Sequence, residues 1–278
     1  MTRSVAFQGE PGAYSEAALL AHFGPTARPL PCPSFEQVFS RVSTGEADAG
    51  ILPIENSLAG SILENYDLLL EHDLPIIGEV RLNVRHSLMA APGTPLAAIR
   101  WCYSHPQALA QCAPWLKAHG IEPRVAHDTA GAARLLAERP EPNAGAIASA
   151  HAAGLYGLQV LADGIQSRPD NTTRFFVVAR TRPDALSSEK ASLVFATANR
   201  PGALHACLGA FADAGLNLTK LESRPTRATP WEYHFYLDFE GDAGSPPGQR
   251  ALEALQAHAR FVRLLGAYPR ARDGALLP

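Results

Sequence analysis

The 278-residue sequence predicts an α/β fold followed by a smaller unit with a different order of elements. Short apolar runs alternate with helical patterns over the first two thirds of the chain, which is typical of mostly parallel sheets joined by helices. The polar stretch at residues 181–190 contains a proline and a serine pair and predicts a linker. Beyond it, two strands follow one another without a helix between them, so the architecture changes there.

The amino-terminal segment predicts two strand–helix steps. Residues 4–8 form a short strand-like run, and Ser15 is the expected start of a helix that Gly24 ends. Ser34 and Gln37 have the spacing of a capping box, which predicts the start of a second helix.

A buried strand and a polar loop come next. Residues 49–54 predict the strand, ENSLAGS the loop, and residues 62–70 a helix. Further strand-like runs are IIGEV, HSLMA, IRWCYS, GAIAS, LQVLA and RFFVVAR. Pro106 suits the first position of a helix, and Pro114 is expected to kink or end that helix early.

The last third predicts four strands and two helices. The strands are SLVFAT, LNLTKLESR, WEYHFYLDFE and FVRLLGAY, and the helices are PGALHACLGAFADAG and GQRALEALQAHAR. Their order is βαββαβ, which is the ferredoxin-like split βαβ arrangement.

Composition narrows the class of protein. A formal net charge of -3 provides no basic field for nucleic acid. No apolar run is long enough to span a membrane, and the start of the chain lacks an apolar export segment, so we expect a cytoplasmic protein. The four cysteines have no metal-site spacing and are expected to be reduced, buried thiols.

Several polar stretches lie where a site is expected. ENSLAGS and SHPQ directly follow predicted strands, and ligands of α/β sheets bind beyond the carboxyl ends of strands. GEPGAYSEAA, PIENSLAGS, SHPQALAQC, DTAGAA and NTTRFFVVAR resemble, in order and spacing, the motifs of prephenate dehydratase. PGALHACL and LTKLESRP resemble the ACT regulatory domain joined to that enzyme.

This resemblance covers nearly the whole chain. It implies a two-lobed, periplasmic-binding-protein-like catalytic domain at residues 1–181, a linker at 182–190 and an ACT domain at 191–278. The implied reaction is the decarboxylating dehydration of prephenate to phenylpyruvate in phenylalanine biosynthesis, with feedback control by L-phenylalanine. Aromatisation drives that reaction, so the site needs hydroxyl and amide donors and an arginine, but no metal or redox cofactor.

The resemblance also implies roles for particular residues. Thr173 corresponds to the catalytic threonine, and Arg174 is expected to clamp a carboxylate or to organise the site. Asn56 can bind substrate through both its donor and its acceptor. Glu55 would repel a dianion, so we expect it to orient a neighbour or to cap the following helix.

SHPQALAQC holds a further pair of candidates. The resemblance assigns its polar roles to Ser104 and Gln111, whereas a nucleophilic Cys112 lacks an indicated partner. Asp128 and Thr129 are expected either to face the cleft or only to cap their helix. Further substrate-binding candidates are Ser15, Ser57, Asn171 and Thr172.

The second domain is expected to bind an amino acid. Its carboxylate would meet the helix amides near Ala203 and Leu204, and its side chain would enter a groove between paired domains. The predicted regulatory residues are Gly202, Ala203, Leu204, Asn217, Leu218, Glu222, Ser223 and Arg224. A homodimer is the minimum assembly expected, and a homotetramer is compatible with the layout.

Two alternatives remain open. The first is arogenate dehydratase, which acts on the aminated analogue of prephenate. The second is a receptor that binds an amino acid and catalyses nothing. The missing export segment and the TTRF stretch argue against the receptor.

Overall fold

The computed structural model describes residues 2–183, 188–226 and 232–271, and the chain divides into two compact units. The first unit contains residues 2–65 and Val80–Phe175, and the second contains Tyr66–Glu79 and Phe176–Ala271.

The first lobe of the first unit is a parallel sheet flanked by helices. Its elements are β1 (Ser4–Gln8), α1 (Tyr14–Phe23), β2 (Arg28–Cys32), α2 (Phe35–Thr44), β3 (Ala49–Asn56) and β4 (Gly60–Ser61). Strand β1 pairs in parallel with both β2 and β3, and β4 forms a tight hairpin with the end of β3. The late strand β11 (Thr172–Ala179) lies beside β3.

The second lobe is a five-stranded sheet. Its elements are β6 (Ser87–Ala90), a 3₁₀ turn (Leu96–Ala98), β7 (Trp101–Ser104), α4 (Pro106–Ala118), β8 (Glu122–Val125), α5 (Thr129–Glu138), β9 (Ala144–Ala148), α6 (Ala150–Tyr156) and β10 (Gln159–Asp163). The strand order is β10-β6-β9-β7-β8. The chain enters this lobe before β6 and returns to the first lobe at β11, which is the two-lobed, periplasmic-binding-protein-like arrangement that the resemblance implied.

Strand β9 separates two apolar layers of the second lobe. Ile147 packs with Leu88, Cys102 and Cys112 on one side. Ala146 belongs to the other layer, where alanines of α5 and α6 predominate. Small side chains on that face let both helices approach the sheet closely. The four cysteines are all free and buried, as expected.

The second unit contains the predicted βαββαβ order. Its elements are the greater part of α3 (Leu63–His72) and the start of β5 (Ile76–Asn83), followed by β12 (Lys190–Thr197), α7 (Ala203–Asp213), β13 (Leu218–Pro225), β14 (Tyr233–Glu240), α8 (Pro246–His258) and β15 (Ala259–Tyr268). Strands β13, β14, β12 and β15 are neighbours in that order and pair antiparallel. Phe195, Phe211, Phe239 and Leu255 lie in the core between this sheet and its two helices. The predicted fold class is confirmed.

Several helix and strand boundaries differ from the sequence expectations. Helix α1 begins at Tyr14, so Ser15 lies inside the helix rather than opening it. Helix α4 continues through Pro114 to Ala118, so of the two expected effects of this proline, a kink or an early end, the early end was wrong. Leu109 and Leu116 are buried on either side of this proline, and their packing offsets the backbone hydrogen bond that proline cannot donate.

Strand β3 extends two residues beyond the predicted end, so Glu55 and Asn56 belong to a strand rather than to the loop ENSLAGS. Strands β2 and β8 were missed because their sequences, RPLPC and EPRV, contain prolines that disfavour a strand prediction. Lys190, placed in the predicted linker, is the first residue of β12. Positions 184–187 of that linker lie outside the described residues.

Candidate active site

A cavity of about 440 Å³ opens in the first unit at the strand ends of β1, β3 and β11 and the start of α4. Its polar lining residues are Gln8, Tyr14, Ser15, Asn56, Ser61, His86, His105, Gln107, Gln111, Asp128, Thr129, Asn171 and Thr173. The described lining contains neither arginine nor lysine, and Asp128 is its one carboxylate. The cavity is therefore rich in neutral hydrogen-bonding groups.

The β3–β4 hairpin fixes the orientation of Asn56. The backbone amides of Leu58 and Ala59 both donate to Asn56 Oδ1 at 3.0 Å. Asn56 Nδ2 must therefore face the other way, where it donates to Asn171 Oδ1 at 2.7 Å and to Thr173 Oγ1 at 3.0 Å. The backbone thus determines which atoms of Asn56 act as donors.

This orientation determines what Thr173 offers to a ligand. Thr173 is 8% exposed and lines the cavity from β11. Since its oxygen accepts from Asn56, its own hydrogen can be donated to a group in the cavity. Asn56 thus orients the Thr173 hydroxyl so that it can donate one hydrogen bond to a ligand in the cavity.

The same chain of hydrogen bonds continues to α4. Asn171 Oδ1 is occupied by Asn56, so Asn171 Nδ2 points to Gln111 Oε1, at 2.9 Å. Gln111 Oε1 also lies 2.8 Å from His86 Nε2. Because this oxygen is an acceptor, His86 carries a hydrogen on Nε2.

His86 and Tyr14 are functional candidates that the sequence analysis missed. His86 is 2% exposed, and its Nδ1 lies 2.8 Å from the Tyr14 hydroxyl. The hydroxyl of Tyr14 also lies 2.7 Å from the carbonyl oxygen of Arg85. The sequence showed His86 only as the first letter of a strand-like run, and its partners are 25 and 72 positions away.

Burial favours the neutral forms of His86, Tyr14 and Cys112. Burial lowers the pKa of His86, and the hydrogen bond with Gln111 opposes this in part. Burial raises the pKa of Tyr14 well above its usual range. Burial also raises the pKa of Cys112 to about 12, so its thiolate is not formed near neutral pH and the nucleophilic-cysteine alternative loses its basis.

Glu55 and Arg174 lie behind the cavity rather than on it. Arg174 is 5% exposed, and its Nε is 2.6 Å from Glu55 Oε1. Successive residues of a strand point to opposite faces, so Asn56 and Thr173 face the cavity while their neighbours Glu55 and Arg174 do not line it. This placement favours a site-organising role for Arg174 over a carboxylate clamp.

Three more candidates make structural contacts outside the cavity lining. Ser57 Oγ accepts from the amide of Thr172 at 3.0 Å and donates to the carbonyl of Asp170 at 3.1 Å. Ser104 is buried and donates to the carbonyl of Ile147 at 2.6 Å. Ser57 and Thr172 therefore join the hairpin to β11, and Ser104 joins β7 to β9.

Asp128 and His105 line the cavity and also hold helix ends. Asp128 accepts from the amide of Gly131 at 2.6 Å and also lines the cavity, so it both caps α5 and faces the cleft. His105 Nδ1 accepts from the amide of Gln107 at the start of α4. Ser15 lines the cavity from α1.

The predicted regulatory residues fall into separate groups on the second unit. Gly202 precedes α7 with a φ of 79°, and Ala203 and Leu204 begin that helix beside a concavity of about 200 Å³. Asn217 and Leu218 follow the other end of α7, where Asn217 donates to Glu240 at 2.9 Å.

The ESR stretch of β13 is held by charge pairs. Arg224 forms two hydrogen bonds with Asp67, and Glu222 lies 3.7 Å from Lys220. Ser223 is exposed. Arg224 is therefore held by a carboxylate of its own chain.

The described residues contain neither a metal-binding cluster nor a membrane-spanning helix. No three His, Cys, Asp or Glu side chains in this part of the chain are grouped so that they could hold a metal ion. None of its helices is both long enough and apolar enough to cross a bilayer.

A two-lobed α/β domain with a polar cavity, followed by a βαββαβ domain, defines a small-molecule-binding protein with a separate second domain. The prephenate dehydratase family model matches residues 5–183, and the ACT domain model matches residues 191–257. The chain therefore belongs to the prephenate dehydratase family, and the predicted resemblance is confirmed.

Similar proteins are known from plants and bacteria. An Arabidopsis thaliana protein, arogenate dehydratase/prephenate dehydratase 1, chloroplastic, is 43% identical over 95% of this chain and 71% of its own length. A prephenate dehydratase from Arthrobacter aurescens, solved in complex with L-Phe, is 35% identical, with a TM-score of 0.87 over 97% of this chain and 90% of that one.

A further solved structure is described as GqqA, a novel type of quorum quenching acylase. It is 39% identical, with a TM-score of 0.89 over 97% of this chain and 98% of that one. The same fold thus carries a second described activity in a relative.

Proposed function

We propose that this protein is a carbon–oxygen lyase that converts prephenate to phenylpyruvate. The observation that carries the proposal is the directed hydrogen bond from Thr173. Backbone amides orient Asn56, Asn56 occupies the acceptor side of Thr173, and the threonine hydrogen is left for a ligand in the cavity.

The proposed chemistry matches such a site. The bond between the ring and its carboxylate breaks and releases carbon dioxide, its electron pair enters the ring, and the bond between the ring and its hydroxyl oxygen breaks. The ring becomes aromatic, and the departing oxygen takes a proton to leave as water. A threonine is a weak acid, so Thr173 stabilises the departing oxygen by hydrogen bonding, and a solvent proton completes the water.

The surrounding amides hold the substrate for this step. Gln111 Oε1 faces His86 and Asn171, so the amide nitrogen of Gln111 is directed away from them. Asn56, Gln111 and Thr173 act from three different elements, which favours orientation of a rigid ring over simple binding. Glu55 and Arg174 support β3 and β11 from behind.

The test is to mix the purified protein with prephenate and, separately, with arogenate, and to follow phenylpyruvate and phenylalanine. We expect phenylpyruvate from prephenate with the higher kcat/KM. Turnover of neither compound rejects both dehydratase activities and favours the non-catalytic receptor, unless the acylase assay below is positive.

Arogenate dehydratase is a second candidate for one specific reason. Arogenate carries an ammonium group where prephenate carries a keto group, and Asp128 is a carboxylate on the cavity wall. The Arabidopsis relative also has both activities in its name. A higher kcat/KM for arogenate, with phenylalanine as product, selects this candidate.

An acylase is a third candidate because of the relative described as such. Amide hydrolysis by covalent catalysis needs an activated nucleophile. The described thiols are all buried, so a hydroxyl such as that of Thr173 or Ser15 would have to serve. Incubation with an N-acyl amide under the same conditions separates the candidates, and we expect no hydrolysis.

We also propose that L-phenylalanine binds the second unit and lowers activity. The proposal is supported by the ACT domain match and by the L-Phe complex of the Arthrobacter relative. Gly202 and Asn217 lie beyond opposite ends of an 11-residue helix, about 16 Å long. One chain therefore does not bring the two groups together.

A second copy of the chain resolves that separation. Side-by-side pairing would bring residues 202–204 of one chain to residues 217–218 of the other. We therefore propose a homodimer as the minimum assembly, with a homotetramer as the alternative. Separately, we propose that the protein acts in the cytoplasm. Sedimentation with and without L-phenylalanine measures the assembly, and a monomer that still responds to the amino acid rejects the paired site.

A further inference from the structure

The described cavity lining contains no arginine or lysine to balance the negative charge of the proposed substrate. The proposed substrate carries two carboxylates, and this inference rests on that proposed function. Bringing a dianion into a partly buried cavity is costly unless positive charge meets it. Neither arginine nor lysine is among the described lining residues, and Arg174 lies behind the wall beside Glu55. The ionisable nitrogen groups of the lining are His86 and His105.

The contacts of His86 fit a protonated ring. Its Nε2 faces Gln111 Oε1 at 2.8 Å, which is an acceptor. Its Nδ1 faces the Tyr14 oxygen at 2.8 Å, and that hydroxyl can pass its own hydrogen to the carbonyl of Arg85, at 2.7 Å. With hydrogens on both ring nitrogens, His86 donates to Gln111 and to Tyr14, and Tyr14 donates to the carbonyl of Arg85.

The neutral ring fits the same contacts less well. Nε2 keeps its hydrogen, because Gln111 Oε1 can only accept. The Tyr14 hydroxyl then has one hydrogen for two acceptors, His86 Nδ1 and the carbonyl of Arg85. One of these two acceptors then receives no hydrogen bond from Tyr14. A proton on His86 Nδ1 removes this deficit, because Nδ1 becomes a donor.

We propose that His86 takes up one proton when the dianionic substrate enters the cavity and supplies the positive charge that balances it. The proton comes from solvent and forms the N–H bond at Nδ1, and the Tyr14 hydrogen turns to the carbonyl of Arg85. His86 attracts the substrate through its positive charge and makes no direct hydrogen bond with it, since both ring nitrogens already have protein partners.

Other ionisable groups around His86 do not supply this charge. The pKa values of Tyr14 on α1 and Cys112 on α4 are raised by burial, so both stay neutral. Arg85 is paired with Asp163 at 2.7 Å, outside the cavity lining.

His105 is the remaining competitor. It lies at the start of α4, and burial lowers its pKa while Asp128 opposes this. Its Nδ1 accepts from a backbone amide, so a proton there would break the helix cap, whereas His86 gains a hydrogen bond.

The direction of the pH dependence follows from burial. The pKa of His86 is lowered in the free protein, so the ring is neutral near neutral pH. A bound dianion raises that pKa, so binding takes up a proton between the two values and weakens as pH rises. We expect 1/KM to fall by about tenfold per pH unit on this limb.

The first experiment measures proton uptake directly. Thr173→Ala keeps the cavity and slows turnover, so the heat of prephenate binding can be separated from the slower heat of reaction by calorimetry in two buffers of different ionisation enthalpy. We expect uptake of about one proton near pH 7.5. Absence of uptake overturns the inference.

The second experiment assigns the proton. In His86→Gln the uptake and the pH slope of 1/KM should vanish, and KM at the acidic end should rise by about 10- to 100-fold. In His105→Asn, which keeps an acceptor for the helix cap, both should persist. Uptake that survives in His86→Gln, or that is lost in His105→Asn, overturns the assignment.

The outcomes remain separable. If His86→Gln does not fold, the calorimetry of His105→Asn still decides, because loss of uptake there contradicts the role of His86. Turnover of prephenate with pH-independent KM overturns this inference and leaves the proposed function standing. Failure of the unaltered protein to convert either compound overturns the proposed function, and this inference with it.

Discussion

Asn56 controls the donor pattern of the site because both backbone amides that hold its oxygen are in its own hairpin. The orientation of Asn56 determines the orientation of the Asn171 amide, and Asn171 in turn determines that Gln111 Oε1 faces His86. The sequence indicated Thr173, Asn56, Asn171 and Gln111 by resemblance. It could not indicate the direction of each bond, which depends on partners up to 117 positions apart.

Asn56→Asp tests this control of direction. Aspartate still accepts from the two amides of the hairpin, but it offers no hydrogen to Thr173 or Asn171. We expect a folded protein whose kcat falls by about 10- to 100-fold, since two buried groups lose a donor. Steady-state kinetics with a thermal unfolding scan checks this, and near-normal kcat contradicts the proposed role.

Cys112→Ser tests the exclusion of thiol chemistry. The buried thiol packs with Cys102 and Leu116, so a hydroxyl there should reduce the free energy of unfolding by about 1–3 kcal/mol. We expect kcat to stay within about threefold, because no step uses the thiol. An inactive but folded Cys112→Ser protein would restore the nucleophile hypothesis.

At the scale of elements, β3 and β11 carry the site because alternate residues divide between two tasks. Asn56 and Thr173 face the cavity, while Glu55 and Arg174 pair behind it. Sequence patterns predicted both strands but ended β3 before its two functional residues, because Glu and Asn are typical of loops. The hairpin pairing to β4, which no local pattern signals, extends the strand.

Glu55→Gln tests the supporting role of this pair. It leaves the buried guanidinium of Arg174 without its carboxylate, so we expect a loss of about 1–3 kcal/mol in the free energy of unfolding with little change in KM. The matched control is Asp170→Asn, which removes the partner of exposed Arg168 and should cost less stability than Glu55→Gln, because solvent screens this pair.

Denaturant titration and steady-state kinetics measure both variants. A large rise in KM for Glu55→Gln at unchanged stability contradicts the supporting role and favours a direct substrate contact.

At the scale of the whole molecule, the alternation of strands and helices and the final βαββαβ order were predictable, but the set of segments that forms the second unit was not. Residues 66–79 group with it although they precede most of the first unit. Within that unit Asp67 pairs with Arg224, and Glu79 pairs with Lys190 at 2.9 Å. Such pairs join positions 157 and 111 residues apart, beyond the reach of local sequence patterns.

Gly202→Val tests the proposed regulation. Gly202 has a φ of 79°, which strains a β-branched residue, although the space around it is open. We expect inhibition by L-phenylalanine to weaken at least about tenfold while the basal rate persists. The control, Gly209→Ala, lies inside the same helix with open space and should keep normal inhibition.

Initial rates against L-phenylalanine, with tyrosine and tryptophan for comparison, give the result. Unchanged inhibition of Gly202→Val would move the amino-acid site away from the start of α7.

The role of Thr173 is tested most directly by comparing three proteins in one assay: the unaltered chain, Thr173→Ala and Thr173→Ser, each supplied with prephenate. We expect Thr173→Ala to fold and bind substrate but to lose about 10²–10³ in kcat, the usual cost of one transition-state donor. Thr173→Ser keeps the hydroxyl and should retain much more of the rate. Equal kcat for Thr173→Ala and the unaltered protein would contradict this role of Thr173, because the oriented hydroxyl would then have no part in the reaction.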